Sequence, residues 1–289
     1  MSVVLETIGL ARQFGALRVA QDICFRLEAG ARHALIGPNG AGKTTFVNLL
    51  SGRLAPSAGR ILLNGADVTG LPQAERVKRG LGRTFQINAL FKGLSVLENV
   101  SLATAEHAGL GGKMFRRIGG RRDTIDQAFG LLERLGIADV AMRRVKELPY
   151  GQQRLVEIAI ALALQPSVLL LDEPAAGVPS AESRLILDVI AQLPSAVAVL
   201  IIEHDMELVF RFAERITVLV QGAVLVEGTP AEITAVVVRH DASSSYAYHC
   251  EVQSDEAILV GRAHGWSACS FRTGLLRRYA PRNDICSWQ

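Results

Sequence analysis

Residues 37–45 read Gly-Pro-Asn-Gly-Ala-Gly-Lys-Thr-Thr, and no other stretch narrows the fold of this chain so far. The spacing satisfies G-x-x-x-x-G-K-[ST] and follows directly on the β-type run HALI. Glycines at such a turn let successive backbone N–H groups close around phosphate oxygens, and the following helix offers the positive end of its dipole. Gly37, Asn39, Gly40 and Gly42 are then expected to build the cradle. Lys43 reaches the β and γ phosphates, Thr44 ligates Mg²⁺, and Thr45 is a further nucleotide-binding candidate. A glycine-rich turn without a ligand is the competing reading, and the strand before and helix after argue against it.

A second constellation stands at Val168–Leu169–Leu170–Leu171–Asp172–Glu173, where two carboxylates close a wholly apolar run. A charge at the end of a buried strand is costly unless a cation is near. Asp172 suits Mg²⁺ and Glu173 suits the attacking water. By itself Asp-Glu after a strand is more often a polar strand end; a phosphate loop upstream shifts the reading to function.

The rest of the chain is consistent with an α/β domain. At 289 residues, with 49% hydrophobic and 20% charged residues, it has a globular balance. Residues 3 to 36 alternate short β-type runs with turns, and Asn64-Gly65 between apolar flanks predicts a tight hairpin. From Asp123 onward, Ile125, Phe129, Leu132 and Leu135 fall at helical spacing, with Gly136 as a stop. Helix after Gly151 then alternates with buried strands SVLLLD, AVAVLII and ITVLV. The intervening helices are predicted over Ser180 to Leu193 and Met206 to Glu214, a pattern that argues for a parallel sheet covered by helices. Thr229-Pro-Ala-Glu232 predicts a capping box and one more helix. After about Ala235 no period survives, and residues 235–289 form a separate segment of unknown structure.

The net charge of +3 is too small to argue for nucleic acid, which is set aside as a partner. Lys113, Arg116, Arg117, Arg121 and Arg122 read first as a solvated loop and second as a contact surface. Met1 to Phe14 lacks a secretory pattern, which predicts a cytoplasmic protein. The most apolar stretch, Leu155 to Leu171, is interrupted by Glu157, Gln165 and Pro166 and falls short of the roughly 20 apolar residues of a spanning helix. Any membrane link is therefore expected through a partner. Cys24, Cys250, Cys269 and Cys286 show no metal spacing and read as free thiols.

These residues together resemble the ABC (ATP-binding cassette) ATPases, and three more positions sharpen the likeness. Gln86 in GRTFQ resembles the family's Q-loop glutamine, LPYGQQR from Leu148 to Arg154 its signature motif, and His204 in IIEHD its switch histidine. Each is weak alone: Gln86 could be a surface amide, His204 a satisfied strand-end histidine, Tyr150-Gly151-Gln152 a helix start. Their joint occurrence in the family's order covers about residues 3 to 233. The resemblance implies a phosphate-loop α/β fold with an antiparallel β layer and a helical subdomain at about 87–165. It implies ATP and Mg²⁺ as ligands, and Glu173, His204 and Gln86 as catalytic residues. Thr44, Gln86 and Asp172 would be the metal-binding residues. It further implies two cassettes clamped head to tail, with ATP on the phosphate loop of one capped by Gly151 and Gln152 of the other. Phe14 sits where the family usually stacks an aromatic ring on adenine, though a lone aromatic can equally be core.

Pro149 and Tyr150 replace the usual Ser-Gly of the signature, and Pro179 stands where the family often has Asp. Tyr-Gly-Gln-Gln, Asp-Glu-Pro-Ala-Ala-Gly and RTFQ followed by LFKGLSVLENV look like the branch serving branched-chain amino-acid importers. That branch implies transmembrane permease subunits contacted by residues 87 to 122, an external solute-binding protein indirectly, and a place on the cytoplasmic face of the membrane. The tail reads either as an added regulatory piece or as a reading-frame accident. Two other functions stay open: a soluble ABC ATPase without a membrane partner, and a non-catalytic regulator that uses ATP as a clamp.

Overall fold

The structure, a computed structural model, describes residues 2–84, 90–110, 122–178, 180–234, 248–253 and 256–261. The alternating runs at the start of the chain become β1 (Val3–Phe14) and β2 (Leu17–Glu28), paired antiparallel. β4 (Ala58–Leu63) adds to β1, and the chain turns through Asn64 and Gly65, both at positive φ (50° and 77°), into β5 (Ala66–Asp67). The Asn-Gly hairpin is therefore built as its backbone tolerance predicts. These strands form an antiparallel sheet in the order β2-β1-β4-β5.

The second sheet has six strands in the order β10-β9-β3-β8-β7-β6. β3 (Arg32–Ile36), β6 (Leu81–Arg83), β7 (Val168–Asp172), β8 (Ala198–Ile202) and β9 (Arg215–Val220) run parallel, and β10 (Ala223–Gly228) closes one edge antiparallel. Every residue of β3, β7 and β8 is buried, which is why β8 and the first four residues of β7 read as apolar runs, while β3 buries Arg32 and His33 at its start.

The central strands sort their side chains by the two-residue period of a strand. Val168, Leu170, Leu200 and Ile202 face one core, shared with Leu5, Phe25 and Ile61 of the antiparallel sheet and with Phe46 and Leu50 of α1 (Lys43–Leu50). Leu169, Leu171, Val199 and Ile201 face the other core, built with the helices. Those helices include α3 (Val96–His107), α4 (Arg122–Arg134), α5 (Tyr150–Ala163), α6 (Ser180–Ala191) and α7 (Met206–Phe212), while the short α2 (Gln73–Lys78) precedes β6. In α4 the buried residues Thr124, Ala128 and Leu132 recur every fourth position, and Gly136 at φ 68° follows its end.

α6 and α7 stop two residues earlier than the sequence pattern suggests. Past α7 the chain is already turning into the sheet, where the Glu214 N–H donates to the Arg32 carbonyl. The predicted capping box is present: Thr229 N–H donates to Glu232 Oε2 at 2.7 Å and Glu232 N–H to Thr229 Oγ1 at 3.3 Å. Within the tail, β11 (Tyr248–Gln253) and β12 (Glu256–Gly261) pair antiparallel. Cys24 corrects one expectation, since it is disulfide-bonded and not a free thiol. Pairing between cysteines distant in the chain leaves no spacing signal in a sequence. No helix among the described residues is long and apolar enough to cross a membrane.

Candidate nucleotide site

The carboxyl ends of the parallel strands carry the glycine loop, Asp172, Glu173 and His204, at the edge where open α/β sheets bind ligands. β3 leads into the glycine loop, β7 ends at Asp172 and Glu173, and β8 is followed by Glu203 and His204. Gly42 is the N-cap of α1, at φ 99° and without a side-chain cap. The first helical bond runs from Phe46 N–H to the Gly42 carbonyl, so the N–H groups of Lys43, Thr44 and Thr45 have no acceptor within the helix. The loop is held from behind: a Cβ at Gly37 would lie 2.1 Å from the Leu219 carbonyl oxygen, and one at Gly42 2.6 Å from that of Val19. Backbone on the far side thus requires glycine at both. Asn39 and Gly40 are exposed at the crest, as is Thr44 in the first turn of α1.

Lys43 lies across this loop, its Nζ donating to the carbonyls of Gly37 (2.5 Å) and Pro38 (3.1 Å). Burial lowers the pKa of its ammonium, and the charges of Glu173 and Asp172 push it back up. That coupling brings the loop and the two carboxylates into one electrostatic neighbourhood. Glu173 has a left-handed backbone at φ 48°, and its N–H donates to the Ile202 carbonyl at 2.9 Å. A non-glycine residue there signals a position the surroundings impose.

Beside it, Glu203 is buried and accepts from the Ala175 N–H at 3.1 Å. Burial raises its pKa, the Ala175 and His204 contacts lower it, and Glu173 adds to the rise. His204 itself is exposed, with Nδ1 3.9 Å from Glu203 Oε2.

The signature residues lie elsewhere. Pro149 is the N-cap of α5, and a Cβ on buried Gly151 would meet Glu182 Oε2. Gln152 Oε1 is buried with no hydrogen-bond partner among the described residues. Tyr150 sits beside Gly177, and its hydroxyl accepts from Arg154 Nη2 at 2.7 Å. Phe14 ends β1 with 47% of its surface exposed, and the Arg12 guanidinium lies 4.5 Å from its ring centroid. One ring face is thus already covered. Gln86, Pro179 and the basic residues 113, 116, 117 and 121 lie outside the described residues.

Two residues at the strand ends escape a sequence reading. Arg83, on β6, forms a buried ion pair with Asp172 at 3.0 Å, and buried Glu203 lies within electrostatic reach of Glu173. Both stand inside motifs read for another residue, Arg83 in GRTFQ and Glu203 in IIEHD, and only their position next to Gln86 and His204 hints at them.

The donor set fits a polyphosphate and a divalent cation. Uncapped amides and an ammonium suit anionic oxygens, and Asp172 with the Thr44 hydroxyl could supply hard oxygen ligands. Among the described residues no group of three or more His, Cys, Asp or Glu could hold a metal by itself.

Fold and site together define a phosphate-loop α/β nucleotide-binding protein. Residues 20–176, more than half of the chain, match the family described as ABC transporter, and the chain belongs to that family. It is 40% identical over 239 residues to the high-affinity branched-chain amino acid transport ATP-binding protein BraF of Pseudomonas aeruginosa, covering 80% of this chain and 93% of BraF. It is 39% identical over 237 residues to its counterpart LivG of Escherichia coli, with the same coverage. The structure of the ADP conformation of MJ1267, an ATP-binding cassette of an ABC transporter, superposes with a TM-score of 0.73 at 29% identity, covering 84% of this chain and all of the other.

Proposed function

We propose that this chain is the ATP-hydrolysing subunit of an ABC importer for branched-chain or related amino acids. The observation that carries the reading is the meeting of an uncapped helix start and Lys43 with Asp172 and Glu173 at one sheet edge. Likeness to BraF and LivG over most of their lengths supports the solute class.

In this reading the amides of the loop Gly37–Thr45 and Lys43 bind the phosphates of ATP and stabilise charge as it develops. Asp172, Thr44 and Gln86 hold Mg²⁺, which when bound neutralises the phosphate oxygens. Glu173 orients water and accepts its proton at a carboxylate oxygen. His204, exposed at the end of β8, steadies the γ-phosphate. Phe14 offers its open ring face to the base, and Gly151 and Gln152 cap the nucleotide of a second cassette. Their place at the start of α5, not in the chain's own phosphate loop, suits a head-to-tail dimer. Permease subunits in the membrane, contacted through the region of residues 87–122, and indirectly a solute-binding protein, complete the assembly at the cytoplasmic face.

Two measurements test this. Glu173→Gln is expected to keep ATP binding and lose about 10²- to 10⁴-fold in turnover, the range typical of a general base; unchanged turnover removes Glu173 from the role. Affinity purification from gently solubilised host membranes is expected to recover two multi-spanning proteins. Recovery of ribosomes, DNA-associated proteins or nothing sinks the importer reading.

A further inference from the structure

The carboxylate assigned to the cation is already engaged on one side. Arg83 Nη2 donates to Asp172 Oδ2 at 3.0 Å, and the two side chains are 6% and 2% exposed. Arg83 Nη1 donates to Asn48 Oδ1 at 2.8 Å and to Ser51 Oγ at 2.9 Å. Asn48 lies on α1, the helix that rises from the glycine loop, and Ser51 is its C-cap. One planar guanidinium therefore ties together the ends of β6 and β7 and the body of α1.

Stability alone is a weak reason for such a pair. Replacing a buried ion pair by apolar residues of similar volume is often neutral or stabilising, whereas losing one partner strands the other charge. What the pair does provide is orientation, since a fork of fixed geometry restricts where a carboxylate can point. Arg83 also stands three residues before Gln86, another side chain assigned to the cation. The Thr84 N–H still donates to the Leu170 carbonyl, so β6 remains registered against β7 up to the residue after Arg83.

We propose that Arg83 is a positioning residue for the divalent cation. It clamps Oδ2 of Asp172, leaving Oδ1 for the cation, and it anchors the strand from which the Gln86 segment departs. This rests on the reading of Asp172 as a metal-binding residue. Outer partners of metal ligands typically change metal affinity by about 10- to 100-fold when removed, which sets the size of the effect.

The test uses the full chain with a non-hydrolysable ATP analogue, protein in excess of nucleotide. The midpoint of Mn²⁺ binding is read from the resonance signal of the free ion, and nucleotide affinity in EDTA is read by fluorescence. In Arg83→Met the Mn²⁺ midpoint is expected to rise by about 10- to 100-fold while affinity in EDTA stays unchanged. Arg83→Lys, which keeps the charge and loses the fork, is expected to fall between the two. An unchanged midpoint in Arg83→Met overturns the proposal, as does an equal loss of nucleotide binding with and without metal, which marks a purely structural role. If Arg83→Met does not fold, an unchanged midpoint in Arg83→Lys overturns it equally. Wild-type protein that adds no Mn²⁺ binding beyond that of nucleotide alone removes Asp172 from its role, and this inference with it.

Discussion

Acidification is expected to weaken the fold through a single histidine on the strand that delivers the glycine loop. His33 is 1% exposed on β3, edge-on to the Phe25 ring at 4.9 Å, with Nε2 2.7 Å from Thr217 Oγ1. Thr217 donates its one hydroxyl proton to Glu227 Oε2 at 3.1 Å, so His33 Nε2 is the donor to Thr217. Burial, with the charge of Arg215 adding to it, lowers the His33 pKa from 6.5 to about 3. The folded protein thus keeps this ring neutral while the unfolded chain takes up a proton below 6.5. Stability from this group is complete above the unfolded value and is lost as pH falls from there toward 3. Between about pH 7.5 and about pH 5 the loss comes to about 2 kcal/mol, and a folded value one unit higher hardly alters it. Urea unfolding at both pH values, for wild type and His33→Gln, isolates the histidine's contribution, because Glu157 and Glu203 titrate in both proteins. The wild-type advantage should shrink by that amount on acidification. An advantage independent of pH refutes the reasoning.

Arg76 donates to the carbonyls of Leu49, Leu50, Thr69 and Leu71 from a fully buried position, so Arg76→Met should cost about 3 kcal/mol by urea midpoint, because it strands several acceptors. Gly37→Ala should abolish nucleotide binding measured by fluorescence, since its Cβ would strike backbone at Leu219. Gly151→Ala meets the Glu182 carboxylate, which can swing away, and the Glu182 Cβ at 3.3 Å, which must give slightly; it should lower thermal stability by about 1 kcal/mol while reducing ATP turnover. Ser95→Ala removes the capping box of α3, where Ser95 Oγ accepts from Glu98 N–H, and should lower stability by about 1 kcal/mol in the same urea assay.

Much of this architecture is legible in the sequence where local chemistry decides it. The apolar runs of β7 and β8, the Asn64-Gly65 turn and the Thr229 capping box each carry their own signal, and each forms as read. The glycine loop is legible for the same reason, since turn, strand and helix lie side by side in the chain. Illegible were the contacts between distant segments. Arg83 lies 89 positions from Asp172, and no period or spacing announces that β6 and β7 are neighbours. Cys24 is misread on the same ground, and Glu203 is understood only once β8 is placed against β7. Gly151 and Gln152 are named from the sequence, yet the packing of Gly151 against Glu182 of α6 is not announced by it.

The left-handed backbone at Glu173 has a further consequence for how this chain can drift. A side chain with a Cβ costs about 1–2 kcal/mol in that conformation, and glycine removes the penalty. A screen that rewards heat resistance alone should therefore favour Glu173→Gly, enriching variants that survive heating but, on the role proposed for Glu173, no longer hydrolyse ATP. At this one position, ranking variants by robustness runs opposite to ranking them by work done.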